Sequence, residues 1–406
     1  MQRKTRFVCV SDTHAHSPAD GCFKLPAGDV LIHAGDLTKQ GSLSELRRTM
    51  DWICKADFEV VIVIAALPDQ STPQCMNETG LIVSVVRPVK HVITEMMNFS
   101  ALFLPGNHDI TLDADFYAKH GSSFHWQNTQ DPNECIQVVT RSSPSVVFLQ
   151  HQTAIVRLTR ATGPRTIFKI FGSPFSQFKG NWAFGYDSAD ARALWSQIPH
   201  DADIVVTHTP PYSHCDRNAD GHPVGCKVLR MALGNVKPLL AVCGHIHESR
   251  GYERIRWGSS SPGNGNQHPL ELQTTPGTLP PMGSKKQNLI DLTGKKGEGL
   301  DNDGFAIRNV PGVLFSLESP SQSILILPSA SSQSSASPDD KDEVQSRQNG
   351  CINNPMQQEI QSRRRETCLV NAAIMATSWP FKGGKRFNAP IVVDLNLPVW
   401  GEVNGG

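Results

Sequence analysis

Short apolar runs that stop at polar, chemistry-bearing residues set the pattern of this chain. Residues 7–10 (FVCV) form a β-rich run ending at Ser11 and Asp12, and residues 30–33 form a second one ending at Gly35 and Asp36. Both put polar groups just past a strand, where buried sheets present ligands. Residues 43–55 carry Leu43, Leu46, Met50 and Ile53 at helical spacing behind Ser42, which predicts a helix capped by that serine. Residues 60–65 predict the next strand. Strand, loop, strand, helix, strand implies a layered α/β sheet rather than an all-β barrel. Further strands are predicted at residues 167–172, 204–207, 239–243 and 391–395, with a helix over 188–198 and another over 355–375 that is rich in Gln, Glu and Arg.

Two stretches break the pattern. Residues 66–105 hold the turn residues Pro68, Asp69, Pro73 and Gly80, yet also apolar runs at 81–86 and 101–104 that would need burial. Residues 258–350 are rich in Gly, Pro, Ser, Asn and Gln and include SASSQSSAS at 329–337. Such a composition buries too little apolar area to offset chain entropy, so most of this stretch is expected to be disordered. The length of 406 residues alone suggests two or three domains. The pattern instead implies one domain of ordinary size over 1–257, a low-complexity insertion over 258–350, and a C-terminal helix and strand over 351–406 that complete the same domain.

Composition narrows the function classes. Lys and Arg number 38 against 38 Asp and Glu, a zero formal charge that speaks against general nucleic-acid binding, which needs clustered cations to release counterions. The N-terminus shows no apolar core of a secretory signal, and the longest apolar stretch, residues 60–67, is far shorter than the roughly 18 residues that span a bilayer. A soluble protein without membrane partners is expected, with the cytoplasm as the default compartment. The 10 Cys contain no C-x-x-C pair, which fits neither a zinc ribbon nor a disulfide framework and favours reduced thiols.

Five short signals occur in order: Asp12-x-His14, Gly35-Asp36, Gly106-Asn107-His108-Asp109, Thr207-His208 and Gly244-His245-x-His247. Singly, they read as well as turn pairs, a β-turn or a strand-end histidine, although two His flanking one residue make a ready metal chelate. Jointly, each behind an expected strand, they resemble the calcineurin-like metallophosphoesterase family, over residues 7–257. The flanking words SDTH, HAGDLT, FGSPF, WAF, THTPP and CGHIHE, and CLVNAAIM at 368–375, are most similar to its metallophosphoesterase-domain-containing branch.

That resemblance implies a four-layer α/β/β/α sandwich and two divalent metal ions. Asp12, His14 and His247 would hold the first ion, Asn107, His208 and His245 the second, and Asp36 would bridge both. Imidazole, carboxylate and amide oxygen suit Mn, Fe or Zn. Two ions about 3.5 to 4 Å apart can turn a bridging water into the nucleophile and clamp a phosphoryl group. His108 would then act as general acid, with Asp109 orienting its imidazole. The expected reaction is hydrolysis of a small phosphate ester, first a phosphodiester such as a cyclic nucleotide. A phosphoprotein phosphatase, and a non-catalytic protein using the sandwich as a docking surface, remain as alternatives.

Lesser features complete the reading. His214, Cys215, Asp216 and Arg217 could line a substrate pocket but read more simply as a solvated loop. His16 lies near ligands, His33 reads as a packed strand residue, and Glu248 is expected to buttress the last ligand pair. Arg363, Arg364 and Arg365 read as one exposed helix turn. In the resembled branch the strand before Gly106 runs directly into it, so residues 66–105 interrupt the pattern. They could form a substrate-side lid, replace the strand so that residues 101–104 take over, or be translated non-coding sequence, the reading preferred on sequence.

Overall fold

A computed structural model describes residues 1–63, 102–104, 106–143, 146–177, 182–258, 270–305, 324–327, 359–360, 363–378, 381 and 384–400. Seven strands, numbered in chain order, make the first sheet. β1 (Gln2–Val10), β2 (Val30–Ala34), β3 (Val60–Val63), β4 (Leu102–Leu104) and β5 (Val146–Phe148) run parallel. On the other side of β1 lies β17 (Ile391–Pro398), antiparallel to it, followed by β14 (Asn288–Asp291).

The second sheet has eight strands. At its centre β7 (Ile167–Ser173), β10 (Ile204–Thr207), β11 (Leu240–Cys243) and β16 (Glu366–Asn371) are parallel. β6 (Gln152–Arg157) and β15 (Ile324–Leu327) extend one side, and β12 (Gly251–Trp257) and β13 (Glu271–Pro276) extend the other, all by antiparallel pairing. A two-stranded ribbon of β8 (Ser176–Gln177) and β9 (Gly185–Tyr186) stands apart.

The sheets face each other across one core, and the apolar runs of the central strands follow from burial on both faces. Ile204, Val206, Leu240, Val242, Cys368 and Val370 point into the space between the sheets, where Phe7 meets Phe168 edge-on at 5.5 Å. Their neighbours Val205, Ala241 and Leu369 point the other way, onto α4 (Ala191–Trp195) and α5 (Lys227–Val236) through Trp195, Leu229 and Leu233. The first sheet is covered by α1 (Leu43–Cys54), α2 (Ala114–His125) and α3 (Pro132–Thr140). The α/β/β/α order expected from the resemblance is the observed one. α1 begins where the sequence places it: Ser42 accepts from Glu45 N and Glu45 answers with its carboxylate, a reciprocal cap of about 1 kcal/mol.

The interrupted strand is spliced rather than lost. Val60 and Val61 of β3 pair with Val30 and Leu31, while Leu102, Phe103 and Leu104 of β4 pair with Ile32, His33 and Ala34. β4 takes up the pairing with β2 past Leu31 and also runs beside β3, Ile62 with Leu102 and Val63 with Phe103, so it joins β3 in the sheet rather than replacing it. Residues 64–101, on which the lid reading and the non-coding reading turn, lie outside the described residues.

Within 258–350, most of which is expected to be disordered, residues 270–305 contribute β13 and β14 by backbone pairing, with Ile290 and Leu292 buried in the core. Two expectations need correction. The helix expected over 355–375 is replaced across Glu366–Asn371 by β16, a strand buried on both faces, whose three consecutive apolar residues, Cys368, Leu369 and Val370, carry no period to betray it. Arg364 is no exposed helix residue but is 1% exposed. Its guanidinium donates to Asp203 Oδ1 at 2.8 Å and to the carbonyls of Gly304, Ala202 and Asp201.

Among the described residues no helix is long and apolar enough to cross a membrane, and the eight cysteines form no disulfide. Arg364→Ala leaves the Asp203 carboxylate buried without its cation, so denaturant unfolding is expected to show a loss of about 3 to 5 kcal/mol. A loss below about 1 kcal/mol, the range of a surface ion pair, would contradict this placement.

Candidate metal centre

Each of the seven expected ligands lies just beyond the C-terminal end of a parallel strand. Asp12 and His14 follow β1, Asp36 follows β2, Asn107 follows β4, His208 follows β10, and His245 and His247 follow β11. Both sheets thus deliver side chains to one rim, the place where parallel sheets present ligands. The turns are tight enough to force the left-handed region on residues that carry side chains: φ is 54° at Asp12, 44° at His14, 56° at Asp36 and 68° at His245. Each such residue costs about 1 to 3 kcal/mol and persists only when its surroundings over-determine it. Two glycines make the approach possible. A Cβ on Gly106 would stand 2.0 Å from Asp36 Oδ1, and one on Gly244 would stand 2.4 Å from Asp12 Oδ2.

The side chains converge. His247 Nε2 lies 3.3 Å from Asp12 Oδ1 and 3.4 Å from His14 Nε2, which is itself 3.6 Å from Asp36 Oδ2. On the other side of Asp36, His208 Nε2 lies 3.4 Å from Oδ1, 3.1 Å from Asn107 Oδ1 and 3.2 Å from His245 Nδ1. Ligand-capable atoms of Asp12, His14, Asp36 and His247 all fall within 4.8 Å of one another. The structure brings all seven expected ligands together, with Asp36 between the two groups.

Backbone groups fix how these side chains present themselves. The Nδ1–H of His14 donates to Thr38 O at 3.0 Å, that of His208 to Ala34 O at 2.9 Å, and that of His247 to Thr377 O at 3.2 Å. A neutral ring whose Nδ1 donates to a carbonyl carries its lone pair on Nε2, as at His14, whereas a protonated His247 directs an Nε2–H at Asp12. His245 N–H holds Asp12 and His108 N–H holds Asp36, the latter at 3.0 Å.

Charge follows from burial and proximity. Burial opposes ionisation of Asp12 and Asp36, but the hydrogen bond and charge of His247 at Asp12, and the fields of His208, His108 and His14 at Asp36, bring both below the usual carboxylate range. Burial pushes His14 and His245 down to about 3. Burial also acts on His247, yet the bond to Asp12 and its charge win and hold it up at about 9. Two ionised carboxylates therefore face neutral rings and one imidazolium in a desolvated rim. Divalent cations of the borderline class fit this donor set, since they would replace the proton on His247 and meet every lone pair.

His108 stands at the accessible edge. Its side chain is 29% exposed, against 3% or less for Asp12, Asp36 and His208, and its Nε2 is 4.0 Å from Asp36 Oδ2. Trp182, from the WAF word, stacks on its ring at 4.1 Å. The expectation that Asp109 orients His108 does not hold: His108 Nδ1 donates to Lys39 O at 2.7 Å. Asp109 points inward instead, where Leu37 N, Thr38 N, Thr38 Oγ1 and Gly106 N all donate to its carboxylate. It ties the Asp36 loop to the Asn107 loop. Burial and the neighbouring charge of Asp36 push its pKa up to about 8 against those four donors.

The lesser features sort as follows. His214 and Asp216 are buried, not solvated, and His214 lies between Glu253 at 2.8 Å and Glu271 at 3.2 Å. His33 is a packed strand residue bonded to Thr13 Oγ1. Glu248 accepts from Ser378 N and so braces the segment whose Thr377 carbonyl holds His247. His16, Asp20 and Cys22 also lie within ligand reach of one another, but Asp20 is engaged by Arg48 and by the cap of Ser17. The carbonyls of Ala34, Thr38 and Thr377 were invisible to motif reading, because any residue supplies a carbonyl.

Comparisons with known proteins agree with this geometry. The family description calcineurin-like phosphoesterase matches residues 5–249. The probable rhamnogalacturonate lyase C of Emericella nidulans is 34% identical over 254 residues, 62% of this chain and 18% of that one. Human metallophosphoesterase domain-containing protein 1 is 30% identical over 253 residues, 61% of this chain and 62% of that one. A UPF0046 protein of Caenorhabditis elegans is 28% identical over 256 residues, 62% of this chain and 72% of that one. The chain spans less than two thirds of the length of the first two relatives.

Asp109→Asn places an NH2 against the donor N–H groups of Leu37, Thr38 or Gly106. Titration calorimetry is expected to show Mn2+ affinity lowered by about tenfold or more. Unchanged affinity would show that Asp109 does not hold the ligand loops.

Proposed function

The chain belongs to the calcineurin-like phosphoesterase family, and from that premise we propose that its rim cluster is a binuclear centre that hydrolyses a small phosphate ester, a phosphodiester first. The observation that carries the proposal is the convergence of carbonyl-fixed imidazole nitrogens on two buried carboxylates. Asp12, His14 and His247 would hold one ion, Asn107, His208 and His245 the other, and Asp36 lies where it would touch both. Two divalent ions held there would supply positive charge for the phosphoryl oxygens and would activate a water as nucleophile.

The chain's own residues do the rest. The His108 side chain is 29% exposed while its ring stays beside Asp36, so it is placed to give a proton to the leaving oxygen. Its Nδ1–H bond to Lys39 O leaves Nε2 directed at the cluster, and Trp182 limits its rotation. The zero net charge favours a small ester over a nucleic acid, with the positive charge concentrated at the metals. A cyclic nucleotide fits that description.

The test is hydrolysis of chromogenic phosphodiesters with a graded series of leaving groups, in Mn2+ and after chelation. Turnover is expected only with metal. His108→Ala should keep its metal and lose rate most on poor leaving groups, by about 10^2 to 10^4-fold. Equal losses across the series would remove the general-acid role, and turnover confined to a phosphopeptide would favour a phosphoprotein phosphatase.

A further inference from the structure

Every expected ligand precedes residue 250, as does the family match, yet a segment more than a hundred residues later lies between the ligand loops. At the end of β16, Ala372 N donates to Cys243 O at 2.8 Å, Ile374 N to Ser11 O at 2.8 Å and Met375 N to Asp12 O at 3.3 Å. Thr377 O then receives His247 Nδ1–H. The segment thus touches the backbone on both sides of the centre.

Its most specific contribution is a side chain. Asn371 is fully buried, and both hydrogens of its amide are used: Nδ2 donates to Cys215 O at 3.0 Å and to Ile246 O at 2.9 Å. Oδ1 accepts from Ala373 N at 3.2 Å. Ile246 is the residue between His245 and His247, and Cys215 lies in the loop that leaves His208. A bond to the Ile246 carbonyl fixes the peptide plane that leads into His247, one residue past His245, whose φ of 68° needs outside support. No hydrophobic residue of this size can supply two donors to two loops.

We propose that Asn371 is a positioning residue of the metal centre: its amide locks the loop after His208 to the His245–His247 turn, so that the segment after the low-complexity stretch completes the site. This rests on the reading of the rim cluster as a divalent-metal centre. Asn371 touches no ligand atom and acts through the Ile246 and Cys215 carbonyls.

The test uses the full chain and Mn2+ alone, titrated calorimetrically into metal-free wild type, Asn371→Leu and Asn388→Ala, with thermal melts of each. Asn388 donates to Ala373 O in the same segment without reaching a ligand loop, so its variant reports general loosening. Asn371→Leu is expected to lower Mn2+ affinity by about tenfold or more, and Asn388→Ala by no more than about twofold. Asn371→Leu within about twofold of wild type, or both variants losing equally, overturns the proposal. Should Asn371→Leu fail to fold, Asn371→Ser, which keeps a short donor, is judged by the same criterion. A wild-type chain that takes up no Mn2+ overturns the metal reading itself, and this inference with it.

Discussion

Asp12 and Asp36 are buried carboxylates held ionised with imidazole nitrogens around them, and the local architecture answers to that concentration of charge and lone pairs. Removing an ionised carboxylate from water costs several kcal/mol even after relaxation. The protein meets part of that cost with backbone N–H groups from His245 and His108 and with the imidazolium of His247. It adds further strain, since four of the clustered residues sit at positive φ. A rim so unfavourable in isolation is stable only on a rigid support, and divalent cations would turn its chief liability into its chief attraction.

That support is a pair of sheets whose central strands are buried on both faces. β10, β11 and β16 present buried apolar residues to both faces, and the pairing of Val206 with Val242 and of Val242 with Val370 sets the positions from which His208, His245 and His247 extend. The splice of β3 and β4 serves the same end. Pairing of Leu104 with Ala34 sets Gly106 against Asp36, so Asn107 and His108 reach the rim despite the interrupted strand. The ion pair of Arg364 with Asp203 fastens the start of β16 to the turn before β10, and so aligns the C-terminal segment with the sheet that carries half of the candidate ligands.

Much of this was legible in the sequence. Strand ends followed by Asp, Asn and His announce themselves, because the ligand types and the apolar runs before them are both residue-specific. The resemblance those signals carry is what implies the seven candidate ligands and the α/β/β/α order. What escaped depended on backbone groups or on distant neighbours. The resemblance makes Asp109 the partner of His108, whereas its partners are the N–H groups of Leu37, Thr38 and Gly106, which have no sequence signature. Arg364 resembled its flanking arginines, and only the closure of the Asp203 turn distinguishes it. β13 escapes because an edge strand of half-exposed residues draws on its neighbour's pairing, and β14 because the few buried apolar residues there, Ile290 and Leu292, sit within a Gly- and Lys-rich stretch.

The most direct measurement is the metal content of the purified full-length chain after equilibrium dialysis against Mn2+, by elemental analysis, beside Asp36→Ala. Two ions per wild-type chain and a loss of both in the variant are what shared coordination at Asp36 predicts. One ion or none in the wild type, or a variant that retains both, would contradict a binuclear centre built around that carboxylate.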